Sequence, residues 1–179
     1  SKMFRAIVDA GEELKSRPDV RAVVLSGEGR SFCAGLDFSS FQAMGSNEQG
    51  TQAEATDEHL EGRITHLGQQ AAWVWQELEV PVIGAIAGHA LGAGFQIAMG
   101  PDIRIIHPET KMSVLEIRWG LVPDMGASVL LPPIVGLDVA KEMYFTGKMI
   151  SGTEAVELGV ATRLSDDPHG TAMELAREI

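Results

Sequence analysis

Two short apolar runs, each followed by a glycine-rich loop, constrain the fold of this chain more than any other feature of its sequence. Residues 20–26 read VRAVVLS, and residues 80–87 read VPVIGAIA. Near-continuous apolar runs rich in β-branched residues are typical of strands that a parallel sheet buries on both faces. Apolar residues at helical spacing precede each run, over residues 4–14 and 59–78. This order of helices and strands predicts an α/β fold.

Shorter elements are predicted along the rest of the chain, which we interpret as a single domain of residues 1–179. A polar stretch without apolar periodicity, residues 45–58, is predicted to be a mobile loop. Further strands are predicted over residues 102–106, 111–115 and 160–164. Helices are predicted over residues 38–44, from 92 to 99, from 127 to an interruption at Pro132 and Pro133, over 137–145 and from 153 onward.

The composition limits the functions that the chain can have. Its 14 lysines and arginines stand against 25 aspartates and glutamates, which gives a formal net charge of −11. Because most of such a surface repels phosphate groups, we expect neither nucleic acid nor a membrane as a partner. With 45% hydrophobic residues, the chain is too apolar for intrinsic disorder. The single Cys33, together with the lack of a signal peptide or spanning run, predicts a cytoplasmic protein without an intrachain disulfide.

The common motifs of nucleotide, metal and serine-nucleophile sites are absent from the sequence, so no metal site is predicted. What remains is the pair of loops that follow the two apolar runs, RSFCAGLDF and AGHALGAGFQ. Small residues let the backbone approach a ligand, and the N–H groups at a helix start point outward. Two such loops can each supply one N–H donor to the same oxygen atom. Such a pair of donors is called an oxyanion hole. The same glycines also fit an interpretation in which they only allow tight turns and close helix–sheet packing.

Three ordered blocks of sequence resemble the crotonase, or enoyl-CoA hydratase/isomerase, superfamily. They are VRAVVLSGEGRSFCAGLDF, VPVIGAIAGHALGAGFQIAMGPDIRI, and MSVLEIRWGLVPDMGAS followed by FTGKMISGTEAVELGVATRL. The resemblance implies a crotonase-like spiral of ββα units, here without the family's usual first strands and C-terminal helices. It also implies acyl-CoA thioester substrates, with coenzyme A as part of the substrate and no further cofactor. Assembly into homotrimers or hexamers is expected on the same ground.

The resemblance assigns the oxyanion hole to the backbone N–H groups of Leu36 and Ala93, which would hold the thioester oxygen. Proton abstraction beside a thioester puts negative charge on that oxygen, and each preorganised donor there is worth about 3–4 kcal/mol. The segment around Ala34 resembles the part of the family that contacts the adenine of coenzyme A. The residues expected to bind substrate are Ala34, Asp37, Gln96 and Trp119.

The acidic residues indicate which reaction the resemblance implies. Hydratases of this family use two glutamates, and this chain has Gln96 and Glu116 at their positions. Because glutamine does not titrate, it cannot serve as a general acid or base, which argues against the usual two-acid hydration. Asp124 follows Glu116 by eight residues. This resembles the dienoyl-CoA isomerase branch, in which a glutamate and an aspartate at this separation move a proton between two carbons, although that branch has an aspartate in place of Gln96. The favoured function is therefore an isomerase with Glu116 and Asp124 as the catalytic pair.

Other interpretations are open from the sequence. Glu116 would also suit a strand-end carboxylate that pairs with Arg118 or caps the next turn, and Asp124 would suit an N-cap of the following helix. The closest rival function is an enoyl-CoA hydratase in which Glu116 works with a water positioned by Gln96. A non-catalytic acyl-CoA binding protein is a third. A Clp-protease-like hydrolase is disfavoured, because Phe95 and Gln96 stand where a nucleophilic serine would be needed.

Overall fold

The computed structural model describes residues 2–35, 60 and 62–179. The helix predicted over residues 38–44 and the mobile loop predicted over residues 45–58 lie outside the described residues. The α-helices are α1 (Lys2–Lys15), α2 (Leu67–Trp73), α3 (Ala93–Ala98), α4 (Ala127–Leu130), α5 (Pro132–Val135), α6 (Leu137–Thr146), α7 (Gly152–Glu157) and α8 (Pro168–Glu178). Two 3-10 helices are Val74–Glu77 and Glu116–Trp119. The strands are β1 (Val23–Ser26), β2 (Val82–Ile86), β3 (His89–Leu91), β4 (Ile103–Ile106), β5 (Lys111–Ser113), β6 (Ile150–Ser151) and β7 (Arg163–Leu164).

The described strands form a main sheet and a smaller one. In the main sheet β1, β2, β4 and β7 pair in this order, and every pairing is parallel. Val24 lies opposite Ile83, which in turn lies opposite Ile103. The smaller sheet joins β3 to β5 in parallel and β5 to β6 antiparallel. A parallel main sheet with helices between its strands confirms the predicted α/β class, although β1 and β7 begin about three residues later than predicted.

Helices cover both faces of the main sheet. On one face Ile83 and Ile105 pack with Ala172 of α8. On the other face Val82 packs with Trp75, and α1 adds partly buried apolar side chains. All of β2 is buried, which agrees with the two-sided burial that its apolar run predicts. Burial of this kind contributes about 25 cal/mol for each Å² of apolar surface removed from water.

The helix predicted over residues 59–78 is shorter than the apolar spacing suggests. Gly62 has φ +76°, a left-handed conformation that a right-handed helix cannot contain. His66 is an extended N-cap whose N–H donates to Gln69 Oε1 at 3.3 Å, so α2 begins only at Leu67. The prediction was wrong here because apolar periodicity does not report the backbone angles of a glycine.

Helix α8 was not predicted from the sequence. Its start carries two ordinary signals of a helix N-terminus. Asp167 Oδ1 accepts a hydrogen bond from Gly170 N at 2.9 Å, and Pro168 occupies the first helical position. The missed helix matters because it buries one face of the main sheet.

The two glycine-rich loops meet beside β3, so both can border one site. Cys33 N donates to His89 O at 2.9 Å, and Leu91 N donates to Cys33 O at 3.0 Å. These bonds form a parallel bridge between Cys33 and Ala90. A Cβ on Gly94 would overlap the carbonyl group of Cys33. Glycine therefore lets the start of α3 lie directly against the first loop.

Gly94→Ala is expected to destabilise the chain by about 1–3 kcal/mol or more, because the added methyl group forces the two loops apart. Gly29→Ala is the matched control, since a Cβ at Gly29 meets nothing within 4 Å. We expect it to change the free energy of unfolding by less than about 0.5 kcal/mol. Denaturant unfolding of both variants checks this, and equal effects would contradict the close approach of the loops.

Candidate active site

The second glycine-rich loop presents the N–H group of Ala93. Gly92 joins β3 to α3 with φ +52° and ψ −117°, a backbone conformation that favours glycine. Its own N–H donates to Ser113 O at 3.0 Å, which anchors the loop to β5. Ala93 is the first residue of α3, so its N–H has no acceptor within the helix. This placement suits the donor role that the resemblance assigns to Ala93.

The second expected donor, Leu36, lies outside the described residues, as does Asp37. The last described residue before them is Gly35, with φ +93°. A Cβ on Gly35 would lie 2.8 Å from Leu91 O, so the first loop passes close to the end of β3. Ala34 is exposed beside it. The roles of Leu36, Asp37 and Ala34 stay predictions.

Glu116 lies beside the second loop. It follows β5 at the start of a 3-10 helix and is only 8% exposed. Its Oε1 lies 3.5 Å from the position that a Cβ on Gly92 would occupy. Within the described ranges, Oε2 is buried without a hydrogen-bond partner. The alternative of an ion pair with Arg118 is wrong for the described structure, in which the side-chain hydrogen bond of Glu116 comes from Gln96.

The electrostatic surroundings of Glu116 favour its neutral form. Burial raises the pKa of its carboxyl above the ordinary value of 4.5, and the negative charge of Asp124 acts in the same direction. The nearby backbone N–H of Glu116 and the side chain of Gln96 act on this pKa in the opposite direction, each by less than burial. A buried carboxyl with a raised pKa is a common property of residues that exchange protons with a substrate.

Gln96 is fully buried between Glu116 and the segment that leads into α4. Its Nε2 donates to Glu116 Oε1 at 2.7 Å. Its Oε1 accepts from Met125 N at 2.8 Å and from Ala127 N at 3.2 Å. These two backbone partners were not predicted from the sequence. The residue types at these positions do not show that their backbone N–H groups donate to a distant side chain.

Asp124 is exposed, on the segment between the 3-10 helix and α4. The alternative that it caps α4 is wrong, since Gly126 is the N-cap, with φ +109° and no side-chain cap. Asp124 stands two residues too early for that role. Its charge acts on Glu116, so the two carboxylates lie within electrostatic reach of each other. Its catalytic role stays a prediction.

Trp119 lies on the same 3-10 helix as Glu116 and is 52% exposed. An exposed indole presents a large apolar surface. Its role as a wall of the acyl pocket stays a prediction.

Across residues 2–35, 60 and 62–179, no group of three or more histidine, cysteine, aspartate or glutamate side chains is arranged to hold a metal ion. None of the helices in those ranges is long and apolar enough to cross a membrane.

Known proteins resemble this chain over most of its length. Residues 1–179 match the family model of enoyl-CoA hydratase/isomerase. The peroxisomal Delta(3,5)-Delta(2,4)-dienoyl-CoA isomerase of Arabidopsis thaliana is 32% identical over 84% of this chain and 54% of its own length. The short-chain-enoyl-CoA hydratase of Clostridium acetobutylicum is 33% identical over 93% of this chain and 60% of its own length.

Solved structures give the same result for the fold. The enoyl-CoA hydratase of Bacillus anthracis superimposes with a TM-score of 0.84 and 26% sequence identity, over 99% of this chain and 65% of that one. The Pseudomonas aeruginosa protein DspI superimposes with a TM-score of 0.83 and 27% identity, over 98% of this chain and 63% of that one. This chain thus spans between half and two thirds of the length of such relatives. It has the crotonase fold and belongs to the enoyl-CoA hydratase/isomerase family.

Proposed function

We propose that this chain moves a carbon–carbon double bond in an enoyl-CoA thioester by proton transfer, with Glu116 as the base. The observation that carries the proposal is the buried Glu116 carboxylate, whose Oε2 has no partner among the described residues. This carboxylate lies beside Gly92, the residue before Ala93. The second glutamate of a hydratase is replaced by Gln96, whose amide cannot titrate. A single buried base next to an N–H donor is the minimum that an enolate-forming reaction requires.

The proposed reaction begins at the carbon next to the thioester carbonyl. Glu116 Oε2 takes a proton from this carbon, and the electron pair of the broken C–H bond moves into the carbonyl group. The thioester oxygen becomes negative, and the N–H groups of Ala93 and Leu36 stabilise it. When a proton is delivered to a carbon further along the acyl chain, the carbonyl re-forms and the double bond has moved. Proton and electron pair balance without a cofactor.

Asp124 is proposed as the second acid/base group of this pathway. In a dienoyl substrate the carbon that receives the proton lies further from the thioester. The Glu116 carboxylate takes the proton next to the thioester, so a second group is needed to deliver a proton to the distant carbon. Asp124 is exposed, and its negative charge acts on the carboxyl of Glu116. An exposed carboxylate at this place suits the delivery of a proton to the distal carbon.

Hydration of a 2-enoyl-CoA is the second candidate function. It is favoured by the relatives named as hydratases, such as the Clostridium acetobutylicum protein. In this alternative Glu116 activates a water molecule that Gln96 orients through its second amide hydrogen. Gln96→Glu should then create or raise hydratase activity, because the substitution restores a second titratable group. A third candidate, a protein that binds acyl-CoA without catalysis, would show neither activity.

The proposal is tested with 2-enoyl-, 3-enoyl- and 3,5-dienoyl-CoA substrates of several chain lengths, each followed by absorbance. We expect movement of the double bond to be faster than hydration. Faster hydration would put the second candidate ahead, and the absence of any turnover would favour the third.

Asp124→Asn is expected to slow the dienoyl reaction by about tenfold to a hundredfold. This effect is at or below the lower end of the usual range for a general acid or base, because solvent can partly replace an exposed group. Its effect on the 3-enoyl reaction should be smaller. Asp9→Asn, at an exposed position of α1 remote in sequence, is the matched control. Full activity of the Asp124 variant on every dienoyl substrate would remove Asp124 from the mechanism.

A further inference from the structure

The side-chain amide of Gln96 can take only one orientation. The residue is 1% exposed, and one terminal atom of its side chain lies within hydrogen-bond distance of Met125 N and Ala127 N. Backbone N–H groups donate and do not accept, so this terminal atom must be the oxygen. The amide nitrogen then faces Glu116 Oε1 at 2.7 Å and donates to it.

This orientation makes the two oxygens of Glu116 unequal. Oε1 is occupied by the N–H group of Gln96, whereas Oε2 is buried with no partner in the described part of the chain. A donor facing a carboxylate favours its ionised form, which is the form that accepts a proton. The bare oxygen is therefore the reactive one.

The same amide also holds the segment that carries Asp124. Its Oε1 accepts from the residues on either side of Gly126, the left-handed N-cap of α4. Asp124 directly precedes the first of these residues. The buried side chain of Gln96 thus connects the carboxylate of Glu116 to the backbone of Met125 and Ala127.

We propose that Gln96 is a positioning residue, which occupies Oε1 of Glu116, leaves Oε2 as the atom that takes the proton, and ties this carboxylate to the turn after Asp124. The inference rests on the proposed role of Glu116 as the base. Gln96 itself neither gains nor loses a proton. In this chain the amide is a fixed donor at a position where a hydratase of the family has a second titratable group.

Gln96→Glu tests this role with little change of shape. The new carboxylate still accepts from Met125 N and Ala127 N, so the fold should be kept. It donates to Glu116 only while it holds a proton, and two carboxyl groups in contact do not both ionise readily. Wild-type turnover of a 3-enoyl-CoA should rise with pH and then stay level, as expected for a single base. The variant should instead show a second ionisation, with turnover falling at alkaline pH to about a tenth of the wild-type value or less.

Gln96→Asn is the second variant, and it decides the outcome if Gln96→Glu lacks a cooperative thermal transition. Its amide is one methylene shorter, so it cannot reach both Glu116 and the backbone after Asp124. Loss of the donor should move the acid limb of the pH profile to higher pH, because the pKa of Glu116 is no longer lowered by Gln96. Turnover should fall while KM stays nearly unchanged, since the positioning acts on the chemical step.

Gln70→Glu is the matched control for both variants. Gln70 is also buried, and its Nε2 donates to Glu77 Oε2 at 2.9 Å rather than to Glu116. This control should leave the pH profile of turnover unchanged even if it lowers the melting temperature. Wild-type pH profiles in both Gln96 variants would overturn the positioning role.

Failure of the positioning role and failure of the proposed function give different results. If Glu116→Gln abolishes turnover while both Gln96 variants keep the wild-type pH profile, only the role of Gln96 is wrong. If Glu116→Gln keeps wild-type turnover, Glu116 is not the base, and both inferences fail together.

Discussion

Glu116→Gln is expected to lower the turnover of enoyl-CoA substrates by about a hundredfold to ten-thousandfold, the usual contribution of a general acid or base. The substitution removes the proton-accepting group but keeps the size of the side chain. Gln96 Nε2 can still donate to the oxygen at the new amide, so the packing around it should persist. KM should change little, because the loss lies in the chemical step. Steady-state kinetics on the substrate with the highest activity measures this.

The same substitution is expected to stabilise the folded chain at neutral pH. Burial raises the pKa of Glu116 above its ordinary value of 4.5, so the folded state favours the uncharged carboxyl. Well below pH 4.5 the carboxyl is protonated in both states, so its burial does not desolvate a charge. As the pH rises through the raised folded-state pKa, the wild-type chain loses this stability, whereas the glutamine variant does not. The melting temperature of Glu116→Gln should therefore exceed that of wild type at neutral pH and match it in acid.

The matched control for Glu116 is Glu157→Gln, which makes the same chemical change at an exposed position at the end of α7. It should leave turnover at the wild-type value. An equal loss of turnover in both variants would point to a general effect of charge. Wild-type turnover in Glu116→Gln would exclude Glu116 as the base.

Ala93→Pro is expected to lower turnover by about a hundredfold to a thousandfold, the usual effect of removing one oxyanion-hole donor. Proline has no N–H group, so the proposed donor disappears. The helix itself should tolerate the change, because Ala93 is the first residue of α3 and proline is favoured at that position. Circular dichroism and the melting temperature establish that the variant is folded, and steady-state kinetics measure its turnover.

Ala93→Gly is the matched control for the oxyanion donor, because it also removes the alanine side chain but keeps the N–H group. We expect its turnover to stay within a few-fold of wild type. A folded proline variant with the turnover of the glycine variant would show that the Ala93 N–H does not stabilise the transition state. The thioester oxygen would then have to bind elsewhere.

Most of the fold could be predicted from the sequence because apolar periodicity reports burial directly. The buried strand β2 and helix α6 follow from their runs, and the interruption at Pro132 separates α4 from α5 as predicted. The start of α2 could not be predicted from spacing, because it depends on the left-handed φ of Gly62 and on the N-cap at His66. These are backbone features that an apolar pattern does not contain.

The candidate site could be predicted in part. The meeting of the two loops agrees with the expectation that both can supply donors to one oxygen atom. The resemblance named Glu116 and Gln96, but the sequence does not show that Gln96 Nε2 donates to Glu116. Nor does it show that Gln96 Oε1 accepts from two backbone N–H groups, because a backbone donor looks the same at every residue except proline.

The most direct test of Glu116 as the base is the loss of the C2 proton signal of a 3-enoyl-CoA in D₂O, followed by proton NMR. Both transfer of this proton along the acyl chain and its exchange with solvent remove the signal, so the measurement reports proton abstraction whichever product forms. We expect wild-type protein to remove it at least about a hundredfold faster than Glu116→Gln. Loss of the signal at the same rate with both proteins, or no loss with wild type, would contradict the proposed reaction.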